Sequence, residues 1–564
     1  MPKVIFQPYN VEVEVDENTS LLDAARKAGI YIRSLCGGRG SCKKCLVKLV
    51  SGEFKYDPDS VVGDLVLACR TYCRGDICQV FIPPETRLGI QRLLTKTQLA
   101  LEVEPNPRIT IRPEEDGAFT ILYIDEGRPV RKCRGSELRA YGVAVDIGTT
   151  KVAVYVVDLF TGKIVREYGF QNPQMTYGDD IISRIEFCRR NPDGVKILQR
   201  LIVDKISEVI ADACRELSLS PDDFVDGVVV GNTVMMYLFL GNPEVTKLVD
   251  ASYRPPKTLF RVNVRDIGLR ANQEASIDVL PCVSRYFGSD LVADVLAVKM
   301  YEKEELQLLL DIGTNTQIII GCRDWMIATS GPGATAFEGW GITCGVRATE
   351  GAIEQVKIEG DKVIYRTIGD KKPIGLCGSG LVDLVAELLR NGIIDETGRL
   401  KPGHPRVRER PDGMLEFVVV PREESGTGND IVVTQRDIAN ILDSKAGVCA
   451  LIATLLRKLR ISISDIERVY ICGGFATYLN LQNATYIGLI PEFPNAQVEY
   501  VGNGAIAGAY MALVNYELRS KAVEIAQMIT YVDMVNDAEF LEEYNANLSF
   551  PGKRELFPSY YSSR

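Results

Sequence analysis

Val143-Ala-Val-Asp-Ile-Gly-Thr-Thr150 and Leu308-Leu-Leu-Asp-Ile-Gly-Thr-Asn-Thr316 repeat one pattern, an apolar run that stops at Asp-Ile-Gly-Thr. Each run is short and continuously apolar, which reads as a buried strand, and its closing aspartate and glycine read as a turn. One such turn carries little information. Two copies about one subdomain apart imply an internal duplication. Each supplies a carboxylate for hydrated magnesium, a glycine that lets phosphate approach the backbone, and hydroxyl and amide donors for its oxygens. The candidate contacts are Asp146, Gly148, Thr149 and Thr150 in the first copy, and Asp311, Gly313, Thr314 and Asn315 in the second.

Around these turns, from Tyr141 to about residue 520, strands, helical segments and glycine turns alternate as in an α/β protein. Val469-Tyr-Ile-Cys-Gly-Gly-Phe-Ala476 places Gly473 and Gly474 at a strand-to-helix turn, where missing side chains could admit a purine. Gly378-Ser-Gly380 opens an amphipathic helix, making Gly378 and Ser379 a further candidate contact. Together these stretches resemble the phosphate-1, phosphate-2 and adenosine motifs of the actin, sugar-kinase and Hsp70 superfamily. The resemblance implies a two-lobed ATPase domain, with lobes of about 141–300 and 301–520, ATP in the cleft, and Mg²⁺ held by Asp146 and Asp311. It also implies connecting helices that open at Phe287-Gly-Ser-Asp290 and Gly502-Asn-Gly-Ala-Ile-Ala-Gly508. Asp290 falls near where family members carry a carboxylate that orients the attacking water. On its own it reads equally as a helix cap.

The N-terminal chemistry is different. Leu35-Cys-Gly-Gly-Arg-Gly-Ser-Cys-Lys-Lys-Cys45 carries Cys36, Cys42 and Cys45, and Cys69 follows at the end of Leu65-Val-Leu-Ala-Cys. Glycines at 37, 38 and 40 let a loop wrap tightly and aim amide donors at an inorganic core. Structural zinc usually takes two short ligand pairs, whereas here three thiols share one loop. The spacing resembles an adrenodoxin-like 2Fe–2S ferredoxin signature, with one residue more in the first gap than the plant type. Cys73 and Cys78 lie close behind Cys69 and read as ordinary thiols, since Cys69 ends the apolar run as a ligand on a strand end would. A Rieske centre needs two histidines, and His404 is the single one in the chain.

Strand patterns at 3–7, 11–15, 45–50, 65–69 and 77–82, with a helix opened by Ser20-Leu-Leu-Asp23 and closed at Gly29, look like a β-grasp ferredoxin fold. The expected organisation is therefore multidomain α/β and α+β: a ferredoxin-like domain over 1–84, a polar linker over 85–106, and a small connecting element over 107–140. The duplicated ATPase domain follows over 141–520, then a C-terminal extension over 521–564. Net charge is −10 and the sequence pI is about 5.2, so no global basic field gathers nucleic acid or anionic lipid. No run approaches about 18 uninterrupted apolar residues. Beyond the first domain the cysteines stand singly in apolar surroundings, as at Cys188, Cys214 and Cys449, which reads as free thiols in a reducing, cytoplasmic setting.

A 2Fe–2S module fused to a duplicated ATPase resembles the reductive activators of corrinoid proteins over nearly the whole chain. Further shared stretches are Asn172-Pro-Gln, Gly178-Asp-Asp-Ile-Ile-Ser-Arg184, Ala336-Phe-Glu-Gly339 with Arg347, Gly351-Ala-Ile-Glu354, and Ile529-Thr-Tyr-Val-Asp533 with Phe540. The resemblance implies ATP-dependent, one-electron reduction of an inactive Co(II) corrinoid to Co(I). The implied partners are a corrinoid protein of a methyl-transfer pathway, an unidentified low-potential electron donor and a second copy of the chain. The rival expectations are an activator like those of 2-hydroxyacyl-CoA dehydratases, or a nucleotide-dependent binding protein that senses redox state.

Overall fold

In a computed structural model, the described residues are 2–34, 36–83, 86–87, 96–313, 315–331, 333, 335–474, 476–534 and 536–562. Strand alternation sends Val4 and Phe6 of Lys3–Gln7 into the first core. This strand pairs antiparallel with Val11–Glu14 and parallel with Ile77–Phe81, and the sheet continues through Leu46–Ser51, Leu65–Leu67 and Val61–Val62. Ser20 Oγ caps the helix Leu21–Lys27 by accepting from Asp23 N at 3.1 Å, and Gly29 ends it at φ +69°. Leu21, Leu22, Ala24 and Ala25 of that helix fill the core. The result is the β-grasp ferredoxin arrangement.

Ile109–Pro113, Ala118–Tyr123 and Pro129–Arg134 form a small antiparallel sheet. It is tied to the next domain through Arg108, which has no exposed surface. Arg108 reaches Asp125 at 2.9 Å, Glu126 at 2.7 Å and Ser276 Oγ at 2.8 Å, and lies 3.7 Å from the buried Asp226. Arg519 binds the same Asp226 and also Asp278, and Arg261 closes the network on Asp278, Asp125 and Glu126.

The duplication is visible in the sheets. Tyr141–Ile147, Lys151–Asp158 and Ile164–Gln171 run as an antiparallel meander, with Phe224–Gly231 and Ser276–Val279 added in parallel and Phe260–Asn263 at the edge. Gln307–Ile312, Thr316–Cys322 and Trp325–Gly331 repeat the meander, with Arg468–Cys472 and Gln497–Gly502 in parallel. Leu308, Leu310 and Ile312 face the core of the second lobe, whereas Leu309 faces a core shared with the first. Helices Ser289–Val298 and Gly504–Val514 cross in that shared core.

Three expected boundaries are corrected. Residues 96–106 do not hang as a free linker. Gln98 N donates to Val501 O at 2.8 Å and Asn106 N to Val514 O at 2.9 Å, because this stretch lies along an otherwise open backbone edge; residues 84–85 and 88–95 lie outside the described residues. Residues 521–564 are no extension: Ile529–Tyr531 pairs with Trp325–Gly331 at the sheet edge, and Ala538–Ala546 packs on helix Gln435–Leu459. The lobes also exchange chain, since residues 504–528 pack in the shared core rather than in the second lobe alone. Among the described residues one helix, Gln435–Leu459, is long and apolar enough to cross a membrane, and 83% of its apolar window is buried within the protein.

Replacing Arg108 by alanine removes one cation from Asp226, Asp125 and Glu126, which keep Arg519 and Arg261, so the loss is that of charged hydrogen bonds, about 1–3 kcal/mol. Arg108→Ala should lower the thermal unfolding midpoint clearly, whereas exposed Lys132→Ala should leave it nearly unchanged in the same scan.

Candidate functional site

The two Asp-Ile-Gly-Thr turns meet across one cleft, a cavity of about 260 Å³. Its walls include Asp146, Gly148, Thr149 and Thr150 from the first copy, Asp311, Gly313 and Asn315 from the second, and Asp290, Gly378, Ser379, Gly473 and Gly474. The remaining candidate, Thr314, lies outside the described residues. Each aspartate sits one residue before its strand ends, and the antiparallel register sets Asp146 opposite Ala153 and Asp311 opposite Gln317. Asp290 is not the cap of its helix. Gly288 holds that position without a side-chain cap, and Asp290 lies in the first turn, lining the cavity.

Sequence reasoning missed Asp294 and Asn503 among the lining residues. Asp294 stands four residues after Asp290, a helical spacing that places both on one face. Asn503 donates from Nδ2 to Asp146 Oδ2 at 2.9 Å while its Oδ1 caps helix Gly504–Val514, and Asn232 donates to Thr149 Oγ1 at 3.0 Å. Both asparagines lay inside glycine-flanked motifs, but nothing in the sequence paired them with these turns.

Burial is the largest influence on all four carboxyls. It pushes Asp146 up to about 6, Asp311 to about 7 and Asp290 to about 8, and raises Asp294 well above the ordinary range. Repulsion from the neighbouring aspartates adds to the rise of Asp290, Asp294 and Asp311. Asp294 Oδ1 and Gln317 Oε1 are buried without a hydrogen-bond partner among the described residues. Among the described residues no three of these carboxyls converge as direct metal ligands, so a divalent cation in this cleft would be held through its water shell, and would draw the carboxyls back to their charged form.

The glycines divide into two kinds. At Gly148 a Cβ would come 2.6 Å from Lys151 O, so the fold itself forbids one. At Gly313 the nearest atom would be Asn315 O at 3.7 Å, so the protein has room and the absent side chain leaves a cradle open to the cleft. Gly473 stands at φ +94°, where a Cβ would lie 2.5 Å from Asp311 Oδ1. Helix Gly378–Arg390 opens beside this space without a side-chain cap, leaving amide donors for an anion.

In the ferredoxin domain Cys45 Sγ lies 3.3 Å from Cys69 Sγ, and Cys36 is hydrogen-bonded to Cys42. Within each pair the shared hydrogen bond pulls one thiol down, Cys36 and Cys69, and pushes its partner up. The four sulfurs stand as two pairs rather than one converged set among the described residues, which matches a centre that takes two thiolates on each of two irons. Gly37, Gly38 and Gly40 all have positive φ, and a Cβ on Gly40 would meet Arg70 Nε at 2.8 Å. Cys73 and Cys78 are not the ordinary thiols expected. They form a disulfide, because the short turn 74–76 folds Thr71–Cys73 back toward Ile77–Phe81.

The ferredoxin domain is docked on both lobes. Tyr31 Oη donates to Asp179 at 3.0 Å, and Arg33 Nη1 donates to Gly345 O at 3.0 Å. Lys44 Nζ donates to Ile342 O at 2.5 Å, and Arg26 to Thr176 O.

A ferredoxin-type thiol loop docked on a two-lobed, duplicated cleft of acidic residues defines the class, a 2Fe–2S protein with an ASKHA-type domain. Family models match in series: the 2Fe-2S iron-sulfur cluster binding domain over residues 4–74, the RACo middle region over 141–303, and the C-terminal domain of RACo, the ASKHA domain, over 305–561. A solved structure of a reductive activator for corrinoid, iron-sulfur protein superposes with a TM-score of 0.72 at 33% identity, covering 99% of this chain and 100% of that one. The corrinoid activation enzyme RamQ of Eubacterium limosum is 29% identical across 97% of this chain and 99% of its own. The Co(II) methylated amine-specific corrinoid protein reductase of Methanosarcina barkeri is 26% identical across 73% and 77%. The chain belongs to the family of reductive activators of corrinoid proteins.

The pairing of sulfurs gives a direct check on the ligands. Cys69→Ser should lose the visible absorption and the two irons per chain expected of a 2Fe–2S centre, whereas Cys73→Ser and Cys78→Ser should keep both. The reverse pattern in iron analysis would move the fourth ligand to the disulfide pair.

Proposed function

We propose that this chain is an ATP-hydrolysing iron–sulfur reductase that returns the Co(II) form of a partner corrinoid protein to Co(I), one electron at a time. The observation that carries the proposal is the docking of a ferredoxin domain with four paired thiols beside a cleft that Asp146 and Asp311 both line. A 2Fe–2S centre supplies a low-potential electron, and ATP supplies free energy. Both are needed, since donation from a centre near −400 mV to a lower couple is uphill by about 2.3 kcal/mol per 100 mV.

In this reading Cys36, Cys42, Cys45 and Cys69 hold the cluster, and the loop glycines keep backbone amides turned toward it. Asp146 and Asp311 hold hydrated Mg²⁺. Gly148, Thr149, Thr150, Gly313, Thr314 and Asn315 embrace the phosphates, with Gly378 and Ser379 at the helix terminus, and Gly473 and Gly474 leave space for the adenosine. Asp290, which lines the same cleft and whose carboxyl is lifted to about 8, would in this reading orient the attacking water. No residue needs to act as an acid or base on the corrinoid. ATP helps only if its bound states bind the partner differently.

The test is an absorbance assay with candidate Co(II) corrinoid proteins and a low-potential reductant. Mg-ATP should accumulate Co(I), and its omission should leave most cobalt as Co(II). Asp146→Ala and Asp311→Ala should each abolish ATP turnover and Co(I) accumulation while leaving the cluster spectrum intact, because the two sites lie in separate domains. Equal Co(I) yields with and without ATP across a range of reductant potentials would overturn the reading.

A further inference from the structure

The wall of the cleft formed by Glu338, Arg347 and Ala348 is also the platform on which the ferredoxin domain sits. Arg347 Nη1 donates to Tyr31 Oη at 3.3 Å, and its Nη2 lies 3.5 Å from Asp179 Oδ1. Three bodies therefore meet at one guanidinium: Asp179 from the first lobe, Arg347 from the second, and Tyr31 from the ferredoxin domain. Arg33, buried beside them, donates to Gly345 O at 3.0 Å and Glu338 O at 3.4 Å, so the same segment of chain receives both contacts. A second connection runs from the phosphate-1 turn. Arg184 donates to Thr149 O and, at 2.9 Å, to Gly178 O, tying that turn to the stretch that carries Thr176 and Asp179.

Docking sets one end of the thiol loop against the first lobe, while Arg39, Ser41 and Lys43 at its tip stay exposed. A Cβ on Gly37 would stand 3.0 Å from Ser183 Cβ, and Cys36 and Cys45 are each 1% exposed.

We propose that Arg347 is a shared ligand for which the docked ferredoxin domain and the terminal phosphate of a bound nucleoside triphosphate compete, so that nucleotide binding releases the domain and frees the Cys36–Gly37 end of its thiol loop from the first lobe. The inference rests on the nucleotide reading of the cleft given above. Its physical basis is the mismatch between what Arg347 has and what it could have. At 3.3 and 3.5 Å its two contacts are long and not bidentate, whereas a phosphate presents the paired oxygens that a guanidinium fork fits best. Once Arg347 turns into the cleft, Asp179, whose side chain is 3% exposed, loses the guanidinium at 3.5 Å and keeps only the influence of the buried Arg33 and Arg184, and weakening the pairing of a buried carboxylate disfavours the docked arrangement. By linkage the relation is reciprocal: docking must weaken nucleotide binding by the same factor.

The experiment uses the full-length, cluster-loaded protein with magnesium adenylyl imidodiphosphate as the probe, read by amide hydrogen exchange and titration calorimetry. In the unaltered protein the probe should protect 146–150 and 311–317 and speed exchange at 29–34 and 176–184. Tyr31→Phe keeps the ring, and so the packing, but removes the hydroxyl. It should exchange faster at 29–34 before any probe is added and should bind the probe about five-fold more tightly or better. Arg347→Ala should bind the probe more weakly and show no further rise in exchange at 29–34. Probe binding with unchanged exchange at 29–34 and 176–184, or an unchanged affinity in Tyr31→Phe, overturns the competition and leaves the nucleotide reading standing. Failure of the probe to bind the unaltered protein at all overturns both.

Discussion

Helices Ser289–Val298 and Gly504–Val514 cross so closely that a Cβ on Gly508 would lie 2.0 Å from the carbonyl oxygen of Ala293. Only glycine allows this approach, and the approach sets the distance between the lobes. Asp290 and Asp294 ride on the first helix, and Asn503 caps the second while holding Asp146. Pushing the helices apart by a side chain would move these groups away from both Asp-Ile-Gly-Thr turns at once. The cleft is thus organised by a backbone contact outside its own chemistry.

The same contact explains the electrostatic character of the site. Bringing the two lobes together buries Asp146, Asp290, Asp294 and Asp311 in one small volume, and burial rather than any single neighbour is the largest cause of their raised pKa values. Elsewhere buried carboxylates are matched: Asp226 and Asp278 meet Arg519, Arg108 and Arg261. The contrast separates a structural network, whose charges are answered within the protein, from a cleft whose carboxylates suit a cation from outside it.

The ferredoxin domain joins this system by polar contacts to main-chain oxygens, from Arg26, Arg33 and Lys44, and by the Tyr31–Asp179–Arg347 meeting. An interface of this kind holds a domain in register yet can be released at modest cost.

What the sequence determined by itself was local. The cysteine loop, the paired Asp-Ile-Gly-Thr turns, the Gly473-Gly474 pair and the Ser20 cap each depend on residues within a few positions of one another, where strand alternation, turn chemistry and helix capping act directly. Their gathering into one cleft followed from the repeated pattern and its likeness to a known family. Tertiary structure decided the rest. Asp294 and Asn503 became part of the site because helices distant in sequence cross at Gly508. Residues 96–106 became an edge of the ATPase domain because an unpaired backbone was there to receive them, and 521–564 because Ile529–Tyr531 completes a sheet. Docking through Tyr31 and Arg347 joins residues more than three hundred positions apart, and no local pattern records such a contact. It arises only when separate surfaces, each folded for its own reasons, present complementary donors and acceptors.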